Sequence, residues 1–161
     1  VVDHFLSAAF PDSALSDRTY NLYQDIAGHQ SRPMKVLVCG GRNFRDVRAV
    51  KDALTDLHME SHITKIIEGG ASGADCYAAE WADEWSMAHE TFSADWQTHG
   101  RAAGPIRNQK MLDEGKPDLV LAFPGGRGTD DMVRRATAAG VRVLKPGQFP
   151  GPDVLHETQK P

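Results

Sequence analysis

Five short apolar runs, each closed by glycine or a polar loop and followed by apolar residues at helical spacing, set the limits on what this chain can fold into. The runs cover residues 35–39, 64–67, 90–94, 118–123 and 141–144, the third being the weakest. Between them, Val47, Val50, Leu54 and Leu57 share one helical face, and Ala74, Tyr77, Ala78, Trp81, Ala82 and Trp85 form a wider stripe. A third helix is expected around Ala102 to Glu114. A fourth begins at Thr129 and closes at Ala136, Ala139 and Gly140. Strands alternating with helices imply right-handed crossovers. The expected class is therefore α/β: an open, mainly parallel five-stranded sheet with helices on both faces.

Three regions follow from composition. Residues 1–33 carry Leu15, Leu22 and Ile26 in a helical extension ended near Gly28 and joined by a polar linker. Residues 34–145 form the alternating domain. From Pro146 to Pro161, prolines and few apolar residues read as a surface tail. The amphipathic stretch around Leu15 to Ile26 offers a homodimer contact or a dock on its own domain. With 161 residues and 40% hydrophobic residues, the chain can bury a sizeable core. It starts at Val1 without a methionine, as a processed or cloned fragment would.

The formal net charge of −4 argues against a broad nucleic-acid or membrane-surface footprint, though a local basic pocket is compatible with it. No apolar run reaches the roughly 20 residues of a membrane span. The first residues lack the order of a secretion signal, so a cytoplasmic location is expected. Cys39 in a strand and Cys76 at a helix start read as reduced, mostly buried thiols rather than a disulfide or metal pair. His58 and His62 are four apart without accompanying ligands and read as solvated, so neither metal nor resident cofactor is expected.

In an open parallel sheet, ligands bind beyond the carboxyl ends of the strands. This chain places Gly40, Gly41, Arg42 and Asn43 after the first strand, and Glu68, Gly69, Gly70, Ser72, Gly73 and Asp75 after the second. Asp95, Trp96, Arg101, Arg107 and Asn108 follow the third. Pro124-Gly125-Gly126-Arg127-Gly128-Thr129 follows the fourth and opens a helix. Glycines allow close backbone approach, and the free N–H groups of a helix start favour an anion. Guanidinium groups present paired donors to phosphate, and carboxylates accept from ribose hydroxyls or transfer protons. The pattern points to a nucleotide or sugar phosphate. Trp96 suits a base by stacking or the core by packing. Trp81 and Trp85 belong to the core stripe, and Arg134 and Arg135 face solvent on the last helix. Residues 39–44 lack the G-x-G-x-x-G spacing, and residues 70–75 lack the lysine of a Walker A loop. An ordinary ATPase or nicotinamide dehydrogenase is thereby disfavoured.

Together, the segments 40–44, 69–75, 94–96, 103–108 and 123–129 resemble the YspA-type branch of the SLOG superfamily over roughly residues 34–145. The resemblance implies a Rossmann-like fold that binds nucleotides or nucleotide-derived ligands. Relatives include LOG-type phosphoribohydrolases and the DNA-processing protein DprA. Against the LOG pattern, Arg107 matches the arginine near a helix start, and Pro124 to Thr129 match the first six positions of P-G-G-x-G-T-x-x-E. The final glutamate falls on Met132, which has no carboxylate to stabilise an oxocarbenium-like state or activate water. Asp130 and Asp131 project about 200° and 100° away from Met132 on a helical wheel. Three functions follow in order. The first is binding or sensing of a nucleotide by Gly40, Gly41, Arg42, Gly70, Ser72, Gly73, Asp75, Trp96, Arg107, Asn108 and the 125–129 cradle. The second is N-glycoside hydrolysis with Glu68, Asp95 and Arg107 as catalytic groups. DNA binding comes third.

Overall fold

The computed structural model describes residues 33–146. The helix expected around Leu15 to Ile26, and the tail beyond residue 146, lie outside the described residues. Five strands form one sheet: β1 (Met34–Cys39), β2 (Ile63–Glu68), β3 (Ala88–Thr91), β4 (Leu119–Ala122) and β5 (Arg142–Leu144). Their order is β3-β2-β1-β4-β5, and every neighbouring pair is parallel. The chain winds outward from β1 to β3, then returns to place β4 on the other side of β1. This reversal makes the carboxyl ends of β1 and β4 the switch point, where a crevice must open.

Helices α1 (Val47–Glu60), α2 (Ala74–Glu84), α4 (Ala103–Asp113) and α5 (Arg127–Ala138) cover the sheet; α3 (Trp96–His99) is a single turn joined to α4 by a 3-10 turn at Gly100–Ala102. Alternation within each strand divides the core in two. Val36, Val38, Ile66, Leu119 and Leu121 pack with Val50 and Leu54 of α1 and Ala78 and Trp81 of α2. On the other face, Leu37, Cys39, Ile67, Val120 and Ala122 pack with Met111 of α4 and Met132 and Ala136 of α5. The Asp46 carboxylate caps α1 by accepting from the Ala49 N–H at 2.9 Å.

Several boundaries differ from the sequence reading. The third strand lies at Ala88–Thr91 rather than 90–94, because its partner β2 ends at Glu68, which pairs with Thr91. α5 starts at Arg127, two residues before Thr129, with Gly126 as its N-cap. Trp81 is buried as expected, whereas Trp85 is 43% exposed and stacks on it at 5.5 Å. As the residue that ends α2, Trp85 has only one flank to bury. His58 is not simply solvated: its Nδ1 accepts from the Ile63 N–H at 3.1 Å, and its ring meets Trp85 edge-on. Cys39 is buried, but Cys76 is exposed. Arg134 faces solvent, whereas Arg135 is half-buried on Asp131. No helix among the described residues is long and apolar enough to cross a membrane.

Candidate functional site

Beyond β1, β2 and β4, three loops pack against one another through backbone. The Gly41 N–H donates to the Pro124 carbonyl at 3.0 Å, joining the loops after β1 and β4. Gly73 sits at φ +89°, a conformation that side chains disfavour, and a Cβ there would collide with the Gly41 carbonyl oxygen. At Gly125 a Cβ would lie 2.7 Å from the Gly41 nitrogen and strike the Thr129 side chain. These close approaches bring the starts of α2 and α5 to one crevice. Neither helix start has a side-chain cap, so first-turn N–H groups remain available there.

The crevice has two adjoining compartments. One, of about 420 Å³, is bounded by Gly69 to Ser72, Ser93 and Ala94. The other, of about 510 Å³, has Gly40, Gly41, Cys39, Asp75 and Met111 on one side and Gly126 to Thr129 with Asn108 on another. Arg42, Ala71, Trp96 and Arg107 belong to both. Arg101 joins from the 3-10 turn and Arg127 from the first turn of α5, so four arginines border one cleft. The Arg42 guanidinium lies over the Trp96 ring, 5.3 Å from its centroid.

A polar network fixes the cleft wall. Arg107 donates through Nη1 to the Gly69 carbonyl and through Nε to Asn108 Oδ1 at 3.1 Å. Buried Asn108 donates in turn to the Gly128 carbonyl at 3.0 Å and to Asp131 at 3.1 Å, tying α4 to the start of α5. Asp131 also receives Arg134 and Arg135. Burial works against its charge, but the bonds from Arg135, Asn108 and Arg134 prevail and hold it below the usual carboxylate range.

Asp75 is the unusual carboxylate. It is 4% exposed; Oδ2 accepts from the Gly69 N–H at 3.0 Å and the Ala71 N–H at 3.4 Å, while Oδ1 has no partner among the described residues. Burial pushes its pKa up to about 6, against the opposing pull of the Gly69 N–H, Arg107 and the Ala71 N–H. Burial, with the charge of Asp75 second, also pushes the neighbouring Cys39 thiol up to about 12, so this cysteine is no nucleophile at neutral pH.

Of the residues proposed from sequence, Gly40, Gly41, Arg42, Gly70, Ser72, Asp75, Trp96, Arg107, Asn108, Gly126, Arg127, Gly128 and Thr129 line the cleft. Gly73 and Gly125 stand behind it and set the loop packing. Glu68 and Asp95 are placed elsewhere. Both oxygens of Glu68 are engaged, one by the Thr91 hydroxyl and one by the Gly70 N–H at 2.5 Å, and the residue is buried. Asp95 caps α3 through the Thr98 N–H at 3.0 Å, and bonds from Thr98 hold its pKa down. Met132 is fully buried beneath the cleft, beside Cys39 and Met111. Sequence reasoning missed Ser93 and Met111, which carry no local signal of a site. It also set aside Asp131, whose spacing to Arg134 and Arg135 was the available clue. Among the described residues no cluster suits a metal ion.

Known proteins place this chain. A match to the YspA, cpYpsA-related SLOG family covers residues 34–99. The Gene 61 protein of Mycobacterium phage D29 is 41% identical over an alignment of 126 residues, which covers 72% of this chain and 98% of that protein. The DNA processing protein A (DprA) of Streptococcus pneumoniae superposes with a TM-score of 0.58 at 18% identity. That match covers 76% of this chain and 52% of DprA, so the chain spans about half that protein's length and shares its fold. With strand order, glycine loops and these matches in agreement, the chain belongs to the YspA, cpYpsA-related SLOG family.

Proposed function

We propose that the cleft binds a phosphorylated nucleoside and that Asp75 equips it to hydrolyse the N-glycosidic bond. The observation that carries the binding is the convergence of Arg42, Arg101, Arg107 and Arg127 on an uncapped helix start, in a chain of net charge −4. Guanidinium groups and first-turn N–H groups together favour phosphate. Arg107, held by Gly69 and Asn108, is the pre-oriented member of the set. The 510 Å³ compartment has the size of a nucleotide site.

Hydrolysis is favoured by Asp75. In such a step, the oxygen of water bonds to the anomeric carbon. The base departs with the glycosidic electron pair, and a proton passes from the water to the base. A carboxylate with a pKa of about 6 can exchange that proton near neutral pH. Glu68, with both oxygens engaged in loop bonds, suits the task less well. DNA is the least favoured ligand, because the likeness to DprA is one of fold and the net charge is negative.

The test is incubation of the full chain with the four common nucleoside monophosphates, NAD, cyclic dinucleotides and single-stranded DNA. Released base is read by liquid chromatography and mass spectrometry, and binding by calorimetry. Base release by the wild type and its loss in Asp75→Asn, with binding retained, supports the full reading. Binding without base release in the wild type reduces the cleft to a binding or sensing module. Absence of nucleotide binding refutes the reading, and tight salt-sensitive binding of DNA alone replaces it.

A further inference from the structure

Of the four residues that border both compartments, Arg42, Ala71, Trp96 and Arg107, two lie against each other as a cation over an aromatic ring: Arg42 and Trp96. Trp96 is 50% exposed, unusual for so large a ring. It opens α3, whose start is capped by Asp95, and a Cβ at Gly104 would lie 3.5 Å from its Cη2. The ring is thus presented on a braced turn, and the planar guanidinium of Arg42 covers it. Among the described residues, no hydrogen bond or ion pair competes for that guanidinium. Arg107, by contrast, is anchored through two of its nitrogens.

A guanidinium over an indole occupies the same place as a stacked nucleobase, and both are attracted by the same π-face. We infer that Arg42 and a ligand base exchange on Trp96: the base stacks on the ring while the Arg42 guanidinium turns to the ligand phosphate. The inference rests on the proposed nucleotide cleft and adds a recognition rule to it. A phosphate rewards the release of Arg42, whereas a neutral nucleoside must displace the guanidinium without that compensation. The pair thereby selects nucleotides over nucleosides, through a coupling that neither residue provides alone.

The rule makes Arg42→Ala act in opposite directions on two ligands. Removing the guanidinium uncovers the ring, so nucleoside affinity rises about two- to fivefold, the scale of an exposed cation–π contact. Nucleotide affinity falls, and the preference for nucleotide over nucleoside drops about tenfold or more, the scale of a lost charge-assisted hydrogen bond. Calorimetry with AMP, GMP, CMP and UMP and their four nucleosides reads both, on wild type, Arg42→Ala, Arg42→Lys, Trp96→Phe and Trp96→Ala. Trp96→Ala weakens every ligand by about fivefold or more, and Trp96→Phe restores part of the loss. Tryptophan fluorescence gives a second readout: nucleotide quenches the wild type but not Trp96→Phe, because Trp81, on α2, and Trp85, which caps its end, are not part of the cleft lining. Equal loss of nucleoside and nucleotide affinity in Arg42→Ala, with an unchanged melting curve, overturns the exchange and leaves the cleft reading intact. Failure of the wild type to bind any of the eight compounds overturns the exchange, and failure to bind NAD and cyclic dinucleotides as well overturns the cleft reading.

Discussion

Asp75→Asn should stabilise the free protein, and the gain should grow with pH. The carboxyl pKa rises from the ordinary 3.8 to about 6 on folding, with burial as the leading cause. A group with a raised folded pKa contributes most favourably when protonated. Its contribution is therefore intact below pH 3.8, declines across the interval up to pH 6, and is fully lost above it. At 1.36 kcal/mol per pKa unit, the burden of holding this charge in the folded state above pH 7 is about 3 kcal/mol. Asparagine keeps one acceptor for the Gly69 N–H and presents a donor where the protonated acid has its own. The variant thus resembles the wild type at low pH and escapes the penalty at high pH. For a domain near 115 residues, about 3 kcal/mol corresponds to a rise in Tm of roughly 8–12 °C. Urea unfolding from pH 4 to 8 measures the difference directly: near zero at pH 4, largest at pH 8. A variant less stable than the wild type at pH 8, or an offset independent of pH, would refute the account of Asp75 as a destabilising carboxylate kept for function.

Further substitutions separate framework from cleft. Gly125→Ala should destabilise by about 2 kcal/mol or more, because its Cβ meets Gly41 and Thr129, and chemical denaturation reads the loss. Gly126→Ala, whose Cβ meets nothing within 4 Å, should shift stability by less than about 1 kcal/mol in the same assay. Met132→Glu should not create a hydrolase; it places a carboxylate in a fully buried apolar cluster, and a stability loss of several kcal/mol should appear in thermal unfolding. Glu68→Gln should cost about 1–2 kcal/mol through weakened bonds to Thr91 and Gly70. Nucleotide affinity, measured by calorimetry, should stay within about threefold of wild type, since Glu68 does not line the cleft.

The location of the cleft was legible because it depends on local pattern. A run such as residues 118–123, followed by Pro124-Gly-Gly-Arg-Gly-Thr129, announces a strand end, a close backbone approach and a helix start within a dozen residues. The choice of carboxylate was not legible. Glu68, Asp75 and Asp95 all follow strands, and their spacing alone does not say which way each turns. Thr91 on a neighbouring strand draws Glu68 into a loop bond, and Asp95 turns back on its own helix. Asp75 remains at the cleft wall because the Gly69 and Ala71 N–H groups hold it there.

By itself, then, the amino-acid order determined the succession of strands and helices, the parallel sheet and the set of loops around the cleft. These follow from side-chain periodicity and from backbone freedom at glycine, properties confined to a few neighbouring residues. Tertiary structure decided which side chains face the cleft: Asp75 rather than Glu68, Arg42 laid over Trp96, and Met132 turned into the core. Those outcomes depend on packing and hydrogen bonds between segments remote in the chain, where burial and partner geometry outweigh local preference.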